Sequence, residues 1–193
     1  AEENNGSSSN SSSARSETSN TITLQFTNEI FIEIGKLENE DLTMDKSATT
    51  HLSSFISLSG DRIPRSVLHN ISILMVHLND ESYIMRNSIV HALSRVVAQV
   101  LTKDSSEMAV KARDDLLGIL EERFRDSVAY TRSKVIQCWS YLCEEKALPL
   151  KLLPDIIELV RGRLHDKSTI VRKSAVQFLS NILDNNPYVK ASG

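Results

Sequence analysis

The chain has 193 residues, of which 40% are hydrophobic, so it can bury a sizeable core. Its formal charge of -3 excludes the strongly basic composition of a dedicated nucleic-acid binder. Two cysteines, Cys138 and Cys143, are too few for a disulfide framework, and no apolar run approaches the roughly 20 residues of a membrane span. We therefore expect a soluble, intracellular protein without a membrane contact.

The first 20 residues differ in composition from the rest of the chain. They contain eight serines and four asparagines and almost nothing apolar. Such a segment cannot offset the entropy of ordering, roughly 1 to 2 kcal/mol per residue for the backbone alone. Residues 1–20 are thus predicted to be a disordered tail, and residues 21–193 to form one helical segment with almost no sheet.

The first predicted helix pair covers residues 26–37 and 46–58. Its short apolar stripe consists of Leu52, Phe55 and Ile56. Asp45, just before the second helix, is followed six residues later by His51. Since the units further along carry arginine at that spacing, we interpret this pair as a degenerate copy of them.

An aspartate followed six residues later by an arginine recurs three times along the rest of the chain. The pairs are Asp80 and Arg86, Asp126 and Arg132, and Asp166 and Arg172. The copies are 46 and 40 residues apart, and a large apolar residue stands two residues before each aspartate. Self-similarity at such a period predicts a repeat architecture.

Two apolar stripes accompany each aspartate and arginine. After the arginine, apolar residues recur at steps typical of one face of an amphipathic helix. These residues are Ile89, Ala92, Leu93, Val96 and Val97; Val135, Cys138, Trp139, Leu142 and Cys143; and Ala175, Phe178, Leu179, Ile182 and Leu183. Before the aspartate the stripes are Ile71, Ile73, Leu74 and Leu78; Leu117, Ile119, Leu120 and Phe124; and Ile157, Leu159, Val160 and Leu164.

Each unit is therefore predicted to be a helix, a short turn and a second helix. A single hairpin cannot bury both stripes, so neighbouring hairpins must stack into a continuous core. The period matches HEAT repeats, which are roughly 40 to 47 residues long. We predict an all-α solenoid of HEAT-type antiparallel helix pairs, with about three clear repeats after the degenerate pair.

The repeated aspartates and arginines suit a structural role better than a catalytic one. Each aspartate falls in the turn, where its carboxylate can accept amide hydrogens at the start of the second helix, and each arginine lies about one turn into that helix. Three equivalent copies favour a ladder over a single active site. The predicted ladder consists of Asp80, Arg86, Asp126, Arg132, Asp166 and Arg172.

Motifs for catalysis or cofactor binding are absent from the sequence. It has no phosphate-binding glycine loop and no nucleophile elbow, and its five histidines lack metal-ligand spacing. Cys138 and Cys143 help to form an apolar stripe, which favours buried free thiols. Trp139 holds the slot of Leu93 and Leu179, so we expect a core residue. We predict no enzyme activity, no cofactor and no metal.

Basic residues near the turns are the candidate contacts to DNA. They are Arg123, Arg125, Lys134, Arg161, Arg163, Lys167 and Lys173. Arg123 and Arg163 occupy equivalent positions, so stacking would align them along one edge, where a basic row can contact phosphates without reading sequence. The alternative is a solvated face that Glu121, Glu122 and Glu158 partly neutralise.

Several longer strings between the repeat positions resemble the condensin subunit 1 family, the non-SMC HEAT-repeat regulatory subunits of condensin. They lie at residues 78–87, 114–124, 145–150, 162–168 together with 171–173, and 185–187. The string 145–150, Glu-Lys-Ala-Leu-Pro-Leu, is more idiosyncratic than a generic repeat pattern requires. The resemblance covers roughly residues 26–188.

The resemblance implies a non-catalytic scaffold that acts in mitotic chromosome condensation. It also implies docking on the condensin kleisin subunit, approach to the SMC ATPase subunits and a contribution to holding double-stranded DNA. The implied location is the nucleus and chromosomes, with a cytoplasmic pool. The alternative is a HEAT scaffold of another class, such as a nuclear transport receptor or phosphatase scaffold, that binds peptides without DNA.

Overall fold

The computed structural model describes residues 9–38, 41 and 44–184. Within these residues the chain is built of helices and contains no strand. The α-helices are α1 (Ser9–Ile34), α2 (Lys46–Arg62), α3 (Pro64–His69), α4 (Ile71–Val76), α5 (Tyr83–Gln99), α6 (Glu107–Glu122), α7 (Ala129–Glu144), α8 (Leu153–Gly162) and α9 (Thr169–Asp184). Short 3-10 helices cover His77–Asn79, Leu101–Lys103, Arg123–Arg125, Leu150–Leu152 and Arg163–His165.

The helices form two layers, and this arrangement confirms the predicted all-α solenoid. The second helices of successive pairs, α2, α5, α7 and α9, pack side by side in that order, and we call them the second-helix layer. The first helices pack against them: α3 and α6 contact α5, α8 contacts α9, and α1 contacts α3 and α4. The core between the layers contains the fully buried side chains of Phe31, Ile56, Leu93, Trp139 and Phe178.

The predicted second-helix stripes are buried, although less so towards the end of the array. All five apolar residues that follow Arg86 are fully buried. Of the five predicted stripe residues in α9, only Ala175 and Phe178 are fully buried, whereas Leu179 is partly buried and Leu183 is 77% exposed. The prediction of a core position for Leu183 is therefore wrong. Among the described residues α9 has a second-helix neighbour on the α7 side alone, so its far side faces solvent.

The first helices depart from prediction in register and continuity. In α8 the buried residues are Leu153, Ile156 and Val160, whereas the predicted Ile157 and Leu159 are only partly buried. The first helix of the Asp80 unit is interrupted between α3 and α4 at Asn70, whose side-chain amide donates to Asn28 Oδ1 at 2.7 Å. A buried polar side chain needs such a partner, and this contact ties the break to α1.

Helix α1 begins at Ser9, inside the segment whose composition predicts disorder. The helical backbone continues from the packed end of α1, where Phe31 and Ile34 are buried. Extending an existing helix costs much less free energy than nucleating a new one. This explains why the helix reaches into a segment whose composition predicts disorder. Residues 1–8 and 185–193, including the string 185–187, lie outside the described residues. The division between tail and repeats at residue 20 stays a prediction.

The ladder and the turn edge as a candidate interface

The turns between first and second helices share one backbone course. Each first helix tightens into a 3-10 helix, after which Asp126 and Asp166 adopt extended backbone with φ of -54° and -60°. Asp126 Oδ1 accepts the amide hydrogen of Val128 at 2.8 Å, and Asp166 Oδ1 accepts that of Ser168 at 2.9 Å. Asp126 and Asp166 thus each fix their own turn through a side-chain to backbone hydrogen bond.

Two of the three arginines at the six-residue spacing, Arg86 and Arg132, bind the aspartate of the next repeat. Arg86 donates from Nε and Nη2 to the two carboxylate oxygens of Asp126 at 3.0 and 2.9 Å. Arg132 donates in the same way to Asp166, at 2.8 Å for both bonds. Such two-pronged pairs are strong and geometrically specific. The pairs link consecutive turns, so the turns stand in register along one edge of the solenoid, which we call the turn edge.

The same arginines also bind their own turns. Arg132 Nη1 donates to the carbonyl oxygens of Asp126 and Ser127 at 2.7 and 3.0 Å. Arg172 makes the equivalent bonds to the carbonyls of Asp166 and Lys167 at 2.8 and 3.0 Å. Its Nη2 donates to Thr169 Oγ1 at 3.0 Å, rather than to a carboxylate. Each guanidinium therefore closes the carbonyl side of its own turn whether or not a further aspartate follows.

A histidine binds the first aspartate of the ladder, and the sequence reasoning missed this role. Buried His77 places Nδ1 2.6 Å from Asp80 Oδ2 and Nε2 2.8 Å from the carbonyl oxygen of Ile34. The His77 ring therefore bridges the first turn of the ladder to the end of α1. The available signal was positional: His77, Arg123 and Arg163 each stand three residues before an aspartate.

The ladder carboxylates lie in an electropositive surrounding. The hydrogen bond from Arg132, together with the Ser168 amide and the Arg163 charge, lowers the pKa of Asp166 from 3.8 to about 2, against a raising effect of burial. The hydrogen bond with Asp166 raises the pKa of Arg132 above its ordinary value. Both shifts have the direction that favours the charged pair.

Two of the seven candidate DNA contacts face the scaffold. The Arg123 side chain is 17% exposed, and its Nη1 donates to the carbonyl of Leu78 in the preceding turn at 3.2 Å. Arg163 is 27% exposed, with Nη1 3.5 Å from Asp166 Oδ2. Their equivalence along the chain puts them at the turn edge, but their cationic groups are largely engaged with the turns.

The other turn-edge candidates are exposed. Arg161 pairs with Glu158 one helical turn away, with Nε 2.8 Å from Oε2, and this pairing neutralises its charge locally. Arg125, Lys167 and Lys173 lie in solvent, and within the described ranges no acid stands within ion-pair distance of them. These three residues carry the free positive charge of this edge.

Lys134, the seventh candidate, lies in a different setting. It lines a groove with residues of α2 and α5 on the solvent side of the second-helix layer. Nearby, Asp61 of α2 accepts hydrogen bonds from Arg95 Nε at 2.7 Å and binds His91 Nε2 at 3.1 Å. The Arg95 guanidinium also stacks on the ring of Tyr141, with its carbon 3.4 Å from the centroid. Burial lowers the pKa of His91, and the charge of Lys134 lowers it further.

The cysteines and the tryptophan occupy the core side of α7. Cys138 is buried, and burial raises the pKa of its thiol. Burial likewise raises the pKa of Cys143 to about 12. Both thiols are free, as the sequence predicts, and Trp139 is fully buried against Phe124, with ring centroids 6.2 Å apart. None of these side chains faces the turn edge or the Lys134 groove.

The described part of the chain contains no group of three or more histidine, cysteine, aspartate or glutamate side chains arranged to hold a metal ion. In the same residues no helix combines the length and apolar character needed to cross a membrane.

Comparison with known proteins gives a consistent result. The family described as "HEAT repeat associated with sister chromatid cohesion" matches residues 151–179. "Condensin complex subunit 1" of Xenopus laevis is 40% identical over 161 residues, which is 83% of this chain. "Condensin-1 complex subunit CAP-D2" of Arabidopsis thaliana is 36% identical over 82% of the chain, and the Saccharomyces cerevisiae subunit 31% identical over 77%.

This chain is homologous to one segment of condensin complex subunit 1. The match confirms the resemblance inferred from the strings between the repeats, and it extends from vertebrates to plants and yeast. The chain spans 12 to 13% of the length of these condensin subunits. The match to HEAT repeats of the cohesion type falls on α8 and most of α9, where the last aspartate and arginine of the ladder lie.

Proposed function

We propose that the chain is a non-catalytic HEAT-repeat scaffold of condensin that acts in mitotic chromosome condensation, in the nucleus and on chromosomes. The observation that carries this proposal is the 31 to 40% identity to condensin subunit 1 of yeast and frog over more than three quarters of the chain. A stack of helix pairs presents extended surfaces to partners, which suits a scaffold.

The partners in this proposal are the condensin kleisin subunit and the SMC ATPase subunits. When the chain is immobilised, it should retain purified kleisin of its own complex from solution. An unrelated HEAT protein immobilised in the same amount should not retain that kleisin. Retention of neither the kleisin nor an SMC subunit by a folded chain would count against a condensin scaffold. It would favour a HEAT scaffold of another class.

Contact with duplex DNA is the second part of the proposal, and it involves the turn edge. The ladder holds three turns in register, and exposed Arg125 and Lys167 lie in two of them without an acidic partner among the described residues. Exposed Lys173 follows in the second turn of α9. Such cations can neutralise phosphates without reading bases, so the predicted binding is independent of sequence and weakened by salt.

Mobility shifts with duplex DNA at about 50 and about 200 mM salt test this part. Changing Arg125, Lys167 and Lys173 to Glu together should abolish the shift at the lower salt concentration. The single changes to Ala should each reduce the dependence of log affinity on log salt by about 0.9. The charge-matched control changes the exposed Lys103, Lys111 and Lys146 to Glu, which lie away from the turns between first and second helices, and should retain binding.

The choice of residues follows the structure. Arg123 and Arg163 are left unchanged because they bind the turns, and their loss would confound folding with binding. Equal loss of binding in the control and turn-edge variants would indicate an effect of net charge alone and contradict a DNA site at the turn edge. Absence of any shift at the lower salt concentration would remove DNA from the proposal and leave the protein scaffold.

A further inference from the structure

A groove on the solvent side of the second-helix layer has features of a binding site. It has a volume of about 550 Å³ and lies where α2, α5 and α7 meet. The residues that matter here are Ser53, Ser54 and Ser57 of α2, Ile84 and Asn87 of α5, and Lys134 of α7. Small hydroxyl side chains leave room above the α2 backbone, and the volume falls within the rough range of 300 to 1,000 Å³ for ligand clefts.

Two polar atoms lining this groove have no hydrogen-bond partner in the described part of the chain. Ser53 is 5% exposed, and its hydroxyl is unpaired. Asn87 Oδ1 is also enclosed and unpaired. By contrast, the neighbouring hydroxyl of Ser54 donates to the Thr50 carbonyl at 2.9 Å, and that of Ser88 to the Met85 carbonyl at 2.7 Å. A buried polar atom left unpaired is costly, so the groove favours a ligand with hydrogen-bond donors.

At the equivalent junction between α7 and α9, the polar side chains satisfy each other. Ser133 of α7 and Ser174 of α9 stand seven and eight residues after their own aspartates, and their hydroxyls bond to each other at 2.8 Å. Asn87 and Lys134 occupy these two positions at the junction of α5 and α7. Asn87 Oδ1 has no such bond, so this junction differs from its sister in leaving polar groups free.

The groove also carries a free positive charge. Within the described residues no carboxylate lies within ion-pair distance of the Lys134 ammonium. Asp61, the acid of α2, already binds Arg95 and His91. A ligand that supplies a carboxylate at Lys134 would complete the pair in a partly desolvated place, where charge-assisted bonds are strong.

We propose that this groove binds an extended peptide segment bearing an aspartate or glutamate side chain. The carboxylate lies at Lys134, and main-chain N–H groups donate to Asn87 Oδ1 and Ser53 Oγ. Phosphate oxygens carry no donor hydrogens for these acceptors, so a peptide fits better than a nucleic-acid backbone. The inference rests on the proposed scaffold function and narrows it to one class of partner segment and one surface.

The test begins with selection of a displayed library of short random peptides on the full chain. Enriched peptides should contain more Asp and Glu than the library. Each is then synthesised with a fluorescent label and its affinity measured by anisotropy. Lys134→Glu should weaken binding by at least about tenfold, since it replaces attraction with repulsion. The matched control Lys111→Glu reverses an exposed lysine of α6, outside the groove and the turn edge, and should leave affinity unchanged.

Ser53→Ala separates binding from folding. It removes an unpaired buried hydroxyl, so the thermal unfolding temperature should stay the same or rise while peptide affinity falls severalfold. A lowered unfolding temperature with unchanged affinity would overturn the assignment of Ser53 to the site. Circular dichroism of each variant confirms that the helices remain.

Other outcomes overturn the groove proposal without touching the scaffold. They are a selection that enriches no peptide, enriched peptides without acidic bias, and equal affinity for the Lys134→Glu variant. Displacement of the peptide by duplex DNA, together with loss of DNA binding in Lys134→Glu, would assign the groove to nucleic acid. Retention of kleisin is measured separately, so a chain that retains kleisin but fails these tests keeps its proposed function and loses only the groove.

Discussion

At the scale of single residues, Arg132 makes two sets of hydrogen bonds at once, which a lysine in its place could not make. Its Nε and Nη2 bind the next repeat through Asp166, while Nη1 closes its own turn on the Asp126 carbonyl. A planar guanidinium offers donors in fixed directions, whereas an ammonium is a compact point charge. The arginine at this position therefore sets the spacing of two turns as well as pairing a charge.

The Asp166 carboxylate predicts a measurable dependence of stability on pH. Its pKa falls from 3.8 to about 2 in the folded chain, so its contribution is complete above about pH 4 and is lost as the pH falls towards 2. The shift corresponds to about 2 kcal/mol in the free energy of unfolding. Denaturant titrations of the wild type and Asp166→Asn should show a difference near neutral pH that shrinks as the pH falls through this window.

The control for this measurement is Asp115→Asn, at an exposed aspartate of α6 that contacts no ladder residue among those described. It should track the wild type at every pH. A difference between the wild type and Asp166→Asn that stays constant from about pH 4 towards pH 2 would contradict the ionised pair.

The spacing of aspartates and arginines indicated the turns but not the partners. Asp126 and Arg132 are six residues apart in the same unit, yet Arg132 binds the Asp166 carboxylate, because the stacking register rather than the local sequence brings them together. The inward orientation of Arg123 was likewise hidden, since its acceptor is the Leu78 carbonyl, 45 residues earlier. Long-range contacts of this kind leave no local periodicity to detect.

At the scale of elements, α2 and α5 approach unusually closely at Gly60. A Cβ added there would stand 2.8 Å from the Cα of Ala92, a backbone atom that cannot turn aside. The degenerate pair thus docks on the first clear repeat through two small residues. The sequence indicated the stripe of Ile56 in α2 and of Leu93 in α5, but not the glycine contact, because close approach depends on the crossing of the two helices.

A matched pair of glycine variants tests this packing. Gly60→Ala should lower the free energy of unfolding by about 1 to 3 kcal/mol, since the added methyl group overpacks against the α5 backbone. Gly118→Ala lies at an exposed position of α6, where an added Cβ meets nothing within 4 Å, and should raise the free energy of unfolding by roughly 0.5 to 1 kcal/mol. Denaturant unfolding measures both; stabilisation by Gly60→Ala would contradict the close approach of α2 and α5.

At the scale of the whole molecule, the two flanks of the stack differ from its middle. Large apolar side chains are exposed at the α1 and α2 flank, where Met44 is 86% and Phe26 64% exposed. They are exposed again on α9, where Val176 is 58% exposed. Interior second helices have second-helix neighbours on both sides; all five stripe residues of α5 are fully buried, and of those in α7 only Cys143 is partly exposed. The period of the sequence predicted the stacking, and the exposed flanks follow from it.

Exposed flanks of this kind predict self-association of the chain in solution. Apolar patches tend to be buried against another surface, and two flanks offer surfaces of similar helical shape. Sedimentation velocity over a range of concentrations should show a weight-average mass that rises with concentration. Changing Val176 and Leu183 together to Glu should shift the chain towards monomer, because charge on α9 opposes burial of that flank.

The control Met108→Glu alters an equally exposed side chain on α6 and should leave the association unchanged. A wild-type chain that sediments as a monomer at every concentration would contradict association through the flanks.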